Sequence, residues 1–357
     1  MKQVFTITLA LIVTSIALAQ KPADSLLYAN EPHFKNIQQL TFGGDNAEAY
    51  WSYNSKMLVF QKTHAVENIP CDQIYIAKVP TKKGQKFTPK LVSTGKGRTT
   101  CAFFTKDDKH IIYASTHLAS AECPPVPDRA KYGNKYIWPL YEGMDIFKAD
   151  LKGNIVQQLT TTAGYDAEGT ISPDGKTMVF TSTRNGDIDL YLMNLKTLAV
   201  TQITSTLGYD GGAWYSPDGT KLIWRASRPK TDADVKEYKE LLALNFVAPT
   251  NMEVFVANAD GSNPRQVSTL GNANWAPAYM PDSKRIIFAS NHQSKRGFPF
   301  NLYTMNEDGS NLQKISAEKS FDAFPMFSPN GKKLVFCSNR NNGGTRDTNI
   351  FVTDWVE

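Results

Sequence analysis

The chain has 357 residues, 41% of them apolar and 20% charged. A chain of this length and composition buries a sizeable core, which excludes intrinsic disorder. Its formal charge of +5 comes from 39 basic and 34 acidic residues without a dense basic run, so no nucleic-acid partner is expected.

Lys2 is followed by an apolar run from Val4 to Leu18 and by small residues at Ala17 and Ala19. The run is short for a bilayer span and ends in a cleavage-site pattern. Residues 1–19 are therefore expected to be a signal peptide, leaving a periplasmic or secreted protein without a stable membrane anchor. Residues 20–35 read as a polar N-terminal segment. Ile37-Gln38-Gln39-Leu40-Thr41 then matches the stretches from Val156 to Thr160 and from Val200 to Thr204, each the last strand of a repeated unit.

The unit is clearest from Gly164 to Asn194. Asp166 to Ser172 suits a strand, Ser172-Pro173-Asp174-Gly175 a turn, Thr177 to Ser182 a second strand and Ile188 to Met193 a third. With the residue before the turn as anchor, copies fall at Ser52, Thr105, Ser172, Ser216, Met280 and Ser328, separated by 53, 67, 44, 64 and 48 residues. Six copies predict an all-β, six-bladed β-propeller over residues 36–357 with four-stranded antiparallel blades, because one small sheet cannot bury both faces alone. The last copy has three strands and lacks a fourth, so the strand near Leu40 is expected to join it and close the ring.

Six residues before the anchors stand Asn46, Thr99, Asp166, Asp210, Asn274 and Asp322; twelve after them stand His64, His117, Arg184, Arg228, His292 and Arg340. Asp accompanies Arg, and Asn or Thr accompanies His. The positions meet at one rim, which predicts the structural pairs Asp166–Arg184, Asp210–Arg228 and Asp322–Arg340. The imidazoles have the donor chemistry for a divalent metal, His64 and His117 on adjacent blades being the candidate pair; the other reading is hydrogen-bonded rim histidines. Glu48 and Glu168, four before their anchors, are expected to face the central channel.

Two long loops leave the same rim. Residues 118–143 carry Tyr132, Tyr136, Trp138 and Tyr141, aromatics suited to stacking on a sugar or gripping a peptide. Residues 229–251 begin with Thr231 as a helix cap and continue with an apolar stripe of Val235, Tyr238, Leu241 and Leu242, expected to pack on the propeller. Arg98 stands at the mouth, ready for an acidic ligand or a local pair. Cys71, Cys101, Cys123 and Cys337 are all expected near this rim; three connectivities are open, with Cys71–Cys123 favoured and Cys337 read as a core thiol.

The turns from Ser172 to Gly175, Ser216 to Gly219 and Ser328 to Gly331, with Pro281-Asp282, resemble those of the TolB-type six-bladed propellers. So do the strand ends Ser182-Thr183-Arg184, Ala226-Ser227-Arg228 and Ser338-Asn339-Arg340. The resemblance covers nearly all of the chain after the leader. It implies a propeller of the kind found in binding scaffolds and in proteins that gate peptidase domains. The likeness is expected to stop at the propeller, without the α/β domain that precedes it in TolB or the hydrolase domain that follows it in prolyl-oligopeptidase-like enzymes. Neither Gly-x-Ser-x-Gly nor His-Glu-x-x-His occurs.

The resulting expectation is a monomeric, non-catalytic scaffold that holds a protein, peptide or oligosaccharide at the loop-bearing rim, through Arg98, His64, His117, His292, Glu48, Glu168, Trp138 and Tyr141. The alternative is a propeller enzyme: a metal-assisted lyase or hydrolase on oligosaccharides, with Glu48, Glu168, His64, His117 and Arg98 converging, or a peptidase-associated propeller.

Overall fold

The computed structural model describes residues 26–82, 84–295, 297–319 and 321–357; the signal peptide expected at 1–19 lies outside them. Local chemistry sets the repeat. In the turn after the first strand of a blade, Ser172 Oγ donates to the Asp174 carboxylate at 2.6 Å and accepts the Thr177 amide at 3.0 Å, while Asp174 accepts the Lys176 amide at 3.1 Å. Gly175 supplies the φ of +78° that ends the turn. The same hydroxyl-to-acceptor contact recurs at Ser52–Asn54, Ser216–Asp218 and Ser328–Asn330.

Among the described residues these hairpins build six four-stranded antiparallel sheets, one per blade. The first strands are Asp45–Trp51, Thr99–Phe104, Asp166–Ile171, Asp210–Tyr215, Asn274–Tyr279 and Asp322–Phe327. The ring closes as expected, with Phe34–Gln39 forming the fourth strand beside Asn349–Trp355, in a register that sets Phe34 opposite Trp355 and Gln39 opposite Phe351. This strand starts three residues before the expected Ile37. Ahead of it Leu26 and Glu31 are buried, so the N-terminal segment packs on the ring.

The second strands carry Phe60, Tyr113, Phe180, Trp224, Phe288 and Phe336 at one equivalent position, each at most 1% exposed. These rings sit in clusters that join neighbouring blades, as where Ile112 and Ile146 meet Met178 and Phe180. Burying each such side chain contributes roughly 1.5–3 kcal/mol, and the sixfold repetition holds the ring together.

Every first strand is broken by a bulge at its third or fourth residue. Glu48, Cys101, Glu168, Gly212, Ala276 and Phe324 occupy this one position in the six blades, all with φ between +47° and +63°. All six line the same cavity on the ring axis. Glu48 and Glu168 therefore reach the channel as expected, but through a bulge and not through simple strand alternation.

The two long loops find each other. Trp138–Pro139 pairs with Phe246–Val247 as a two-stranded sheet across the rim. The second loop also carries helix α1 (Asp232–Leu242), whose cap Thr231 accepts the Asp234 amide while Asp234 accepts the Thr231 amide. Tyr238 and Leu241 are buried and Val235 and Leu242 partly so, confirming that the stripe packs inward. The favoured disulfide, Cys71–Cys123, is formed and ties the first long loop to the ring. The four cysteines do not share a rim: Cys71 lies in the strand Ile69–Lys78, Cys101 in the channel bulge, and Cys337 is wholly buried in the core.

Candidate functional site

The register that sets Asp166 opposite Ser182 brings Arg184, two residues further on, over the start of the first strand. Arg184 Nη2 donates to both Asp166 oxygens at 3.0 Å, and its Nε donates to Ser182 Oγ at 2.8 Å. Arg228 pairs with Asp210 at 2.7 and 3.0 Å, and Arg340 with Asp322 at 3.1 and 3.0 Å. All three expected rim pairs form. Burial raises the Asp210 carboxyl, against the lowering effect of Arg228 and Trp224.

The histidines follow the hydrogen-bonded reading. His117 Nδ1 lies 2.9 Å from Ser115 Oγ and its ring packs on Phe147; His292 Nδ1 lies 2.9 Å from Ser290 Oγ, which donates to Asn274. Burial, helped by Lys96 and Lys314 respectively, lowers both imidazoles, which favours their neutral form. His64 departs from the pattern: its Nδ1 meets Glu67 at 2.7 Å, while Asn46 donates to the Gly43 and Thr348 carbonyls. Among the described residues no group of three or more His, Cys, Asp or Glu is arranged to hold a metal.

Arg98, expected at the mouth for an acidic ligand, is ion-paired with Asp72 and lies over the Tyr141 ring at 5.6 Å. The local pair is the reading the geometry follows. Trp138 is no open stacking platform either. It roofs Arg225 at 5.2 Å, packs on Trp275 at 5.2 Å and donates to the Tyr136 hydroxyl at 3.1 Å.

Beneath this roof lies the channel cavity. Arg225, from a second strand, reaches over Gly212 and ion-pairs with Glu168, whose carboxylate also accepts from Thr181, Tyr209 and the Gly212 amide at 2.8, 3.0 and 2.9 Å. Glu48 faces the Cys101 thiol. Its carboxyl is pushed up to about 7, first by burial and then by the charge of Glu168, against the lowering pull of the Cys101 hydrogen bond and Arg225. Burial likewise raises the Cys101 thiol well above its ordinary value. The cavity measures about 20 Å³, room for about one water. The five-residue convergence of the enzyme alternative does not form, because Glu48 and Glu168 line the channel cavity while Arg98, His64 and His117 hold separate partners at the rim.

A larger concavity of about 320 Å³ lies between α1 and the edge of the fourth blade, lined by Arg228, Tyr238, Leu241, Thr250, Phe255 and Asn272 among others. It is the right size for a small ligand or a few side chains of a partner. Sequence reasoning missed it, as it missed Arg225 and the buried Glu31. The neighbouring Gly211 and Gly212 inside a strand were a usable signal of close approach for Arg225.

The family described as the TolB beta propeller domain matches residues 140–235 and 236–354. A TolB-type protein of Agrobacterium tumefaciens is similar in structure, with a TM-score of 0.56 at 17% identity over 88% of this chain and 91% of its own. TolB of Acinetobacter baumannii gives 0.56 at 19% identity over 85% of this chain and 64% of its own, so this chain spans under two thirds of that protein. An oligogalacturonate lyase of Vibrio parahaemolyticus gives 0.50 at 15% identity over 89% and 93%. At these identities the likeness is one of fold. Among curated proteins no sequence match was found.

Proposed function

Because the chain belongs to the TolB beta propeller domain family, we propose that it works as an exported, non-catalytic scaffold that holds a protein or peptide partner at the rim bearing the two long loops. The observation that carries this reading is a contrast between the space in the channel and the space at that rim. The chemically richest residues sit around a void of about 20 Å³, too small for a sugar or peptide, whereas the groove beside α1 offers about 320 Å³. The groove is lined by apolar, amide and charged groups, a surface suited to docking and holding no activated nucleophile. Export is supported by the apolar leader from Val4 to Leu18 and by the Cys71–Cys123 bridge, which belongs to an oxidising compartment. No helix among the described residues is long and apolar enough to cross a membrane.

The enzyme reading has one observation in its favour, the Glu48 carboxyl held near neutral pH as a general acid or base requires. That group lies beside a void of only about 20 Å³, less than a sugar ring occupies. The test is a photo-crosslinking residue at Thr250 in the groove, used in intact cell envelope, alone and together with an Ala248→Trp substitution that fills the groove. The scaffold reading expects a discrete crosslinked protein, lost on filling, and no turnover of oligogalacturonides or peptides. Turnover, or crosslinking indifferent to the tryptophan, would overturn it.

A further inference from the structure

The three rim arginines occupy one position in three blades, and the molecule fills only one of them completely. Arg184 and Arg340 are built alike. Each takes its Nε hydrogen bond to the serine two residues before it, each spends Nη2 on both oxygens of its aspartate, and each lies over two rings of its own blade at 4.9 to 5.8 Å. Arg228 differs because Ala226 replaces that serine, and its Nη1 turns to the Tyr209 and Ser227 carbonyls.

At Arg340 the remaining donors meet the chain's own N-terminal segment. Glu31 approaches Nη1 at 3.1 Å and Nη2 at 2.9 Å, the Leu26 carbonyl accepts from Nη1 at 3.1 Å, and the Tyr28 ring covers the guanidinium at 5.1 Å. The turn is self-braced, since the Tyr28 amide donates to Glu31 at 3.0 Å. The Arg340 side chain is 1% exposed. At Arg184 the side chain is 14% exposed, and among the described residues its Nη1 makes no hydrogen bond. Asp145 on the neighbouring blade feels its charge but spends its hydrogen bonds on Thr160 and Gln158.

We propose that Arg184 is a recognition point for a glutamate in a tight turn of a protein partner, bound as Glu31 binds Arg340, with an aromatic residue three positions earlier closing over the guanidinium. The chemistry is a forked, charge-assisted contact plus cation–π cover, and the fold already makes it once. Arg340 carries Asp322 and Glu31 together, so the pair with Asp166 does not preclude a further carboxylate at Arg184, which would be the third near it, counting Asp145. The assignment rests on the rim being the partner-binding face and adds which chemistry it reads there.

The probe is the acetylated and amidated tetrapeptide of residues 28–31, Tyr-Ala-Asn-Glu, titrated into the full mature chain with isotope-labelled arginine. The Arg184 Nε–H resonance is identified by its loss in Arg184→Gln. A saturable shift of that resonance is expected, with affinity falling about tenfold when the peptide's glutamate is replaced by glutamine. Arg184→Lys keeps the charge beside Asp166 and is expected to melt like the parent yet bind several-fold more weakly. An unmoved resonance, equal binding of the two peptides, or an unaffected Arg184→Lys protein would sink the assignment. So would stronger binding of a galacturonate oligomer at the same resonance, which would make the reader one of acidic sugars. Loss of the Arg184 effect while crosslinking at Thr250 persists would remove this assignment and leave the scaffold standing; the converse would remove the groove.

Discussion

Arg225 and Glu168 form an enclosed ion pair between adjacent blades, and Gly212 makes room for it: a Cβ there would come within 2.1 Å of Arg225 Nη1. Replacing Arg225 by methionine would strand a carboxylate that keeps only neutral donors. The expected loss is roughly 3–5 kcal/mol in urea unfolding, most of it recovered in the Glu168→Gln, Arg225→Met double variant. Gly212→Ala should also destabilise, through the contact and through its φ of +63°. A double variant as weak as the single would show that the pair does not act as a unit.

Stability should fall as pH rises across the neutral side of the acid range. Glu48 is raised from 4.5 to about 7 and Asp189 from 3.8 to about 6, in both cases first by burial. A raised carboxyl holds a proton in the fold that the unfolded chain has released. Its contribution is therefore complete below the unfolded value and is lost as pH climbs through the folded one. Unfolding free energy measured from pH 4 to 8 should decline between about 4 and 7. Glu48→Gln should flatten the upper part of that decline and Asp189→Asn the lower. An unchanged slope in the double variant would assign it elsewhere.

What the sequence made legible was whatever repeats. Six anchors at matched positions revealed the blades, and comparing one position across six copies revealed Asp166–Arg184 and its two counterparts, because a repeat lets the chain act as its own control. Contacts that break the repeat were hidden. Glu31 reaches Arg340 from outside the blades, Trp138 meets Val247 through two loops of unlike sequence, and Arg98 finds Asp72 across a blade boundary. Nothing in local spacing encodes such meetings, since they depend on how the ring curves. The bulge at Glu48 and Glu168 was hidden for a different reason: with serine, aspartate and glycine elsewhere in the blade marking turns, no residue type is common to the six bulge positions.

Reducing Cys71–Cys123 should loosen one loop and leave the ring in place. The bridge spans 52 residues, for which the chain-entropy argument gives roughly 3–5 kcal/mol. Exposed Val126 lies just beyond Cys123. Limited proteolysis with mass spectrometry is expected to show early cleavage between 124 and 136 in the reduced protein and in Cys71→Ser/Cys123→Ser, with the blades resistant. Resistance of this loop after reduction would mean that the sheet at Trp138–Pro139 and Phe246–Val247 anchors it unaided.

The seal of the ring can be tested with two neighbouring residues. Ile37 in the closing strand is fully buried among Phe34, Phe336 and Phe351, while Gln38 beside it points to solvent. Strand periodicity makes them opposites in consequence although they are adjacent in sequence. Ile37→Ala should cost about 2–5 kcal/mol, and Gln38→Ala no more than about 0.5 kcal/mol. If the strand is the seal, the Ile37→Ala loss should also appear as faster amide exchange in its partner Asn349–Trp355, at the far end of the chain, with the third blade little changed. Equal losses for the two variants, or exchange confined to residues 34–39, would mean that the ring holds its last blade without help from its first strand.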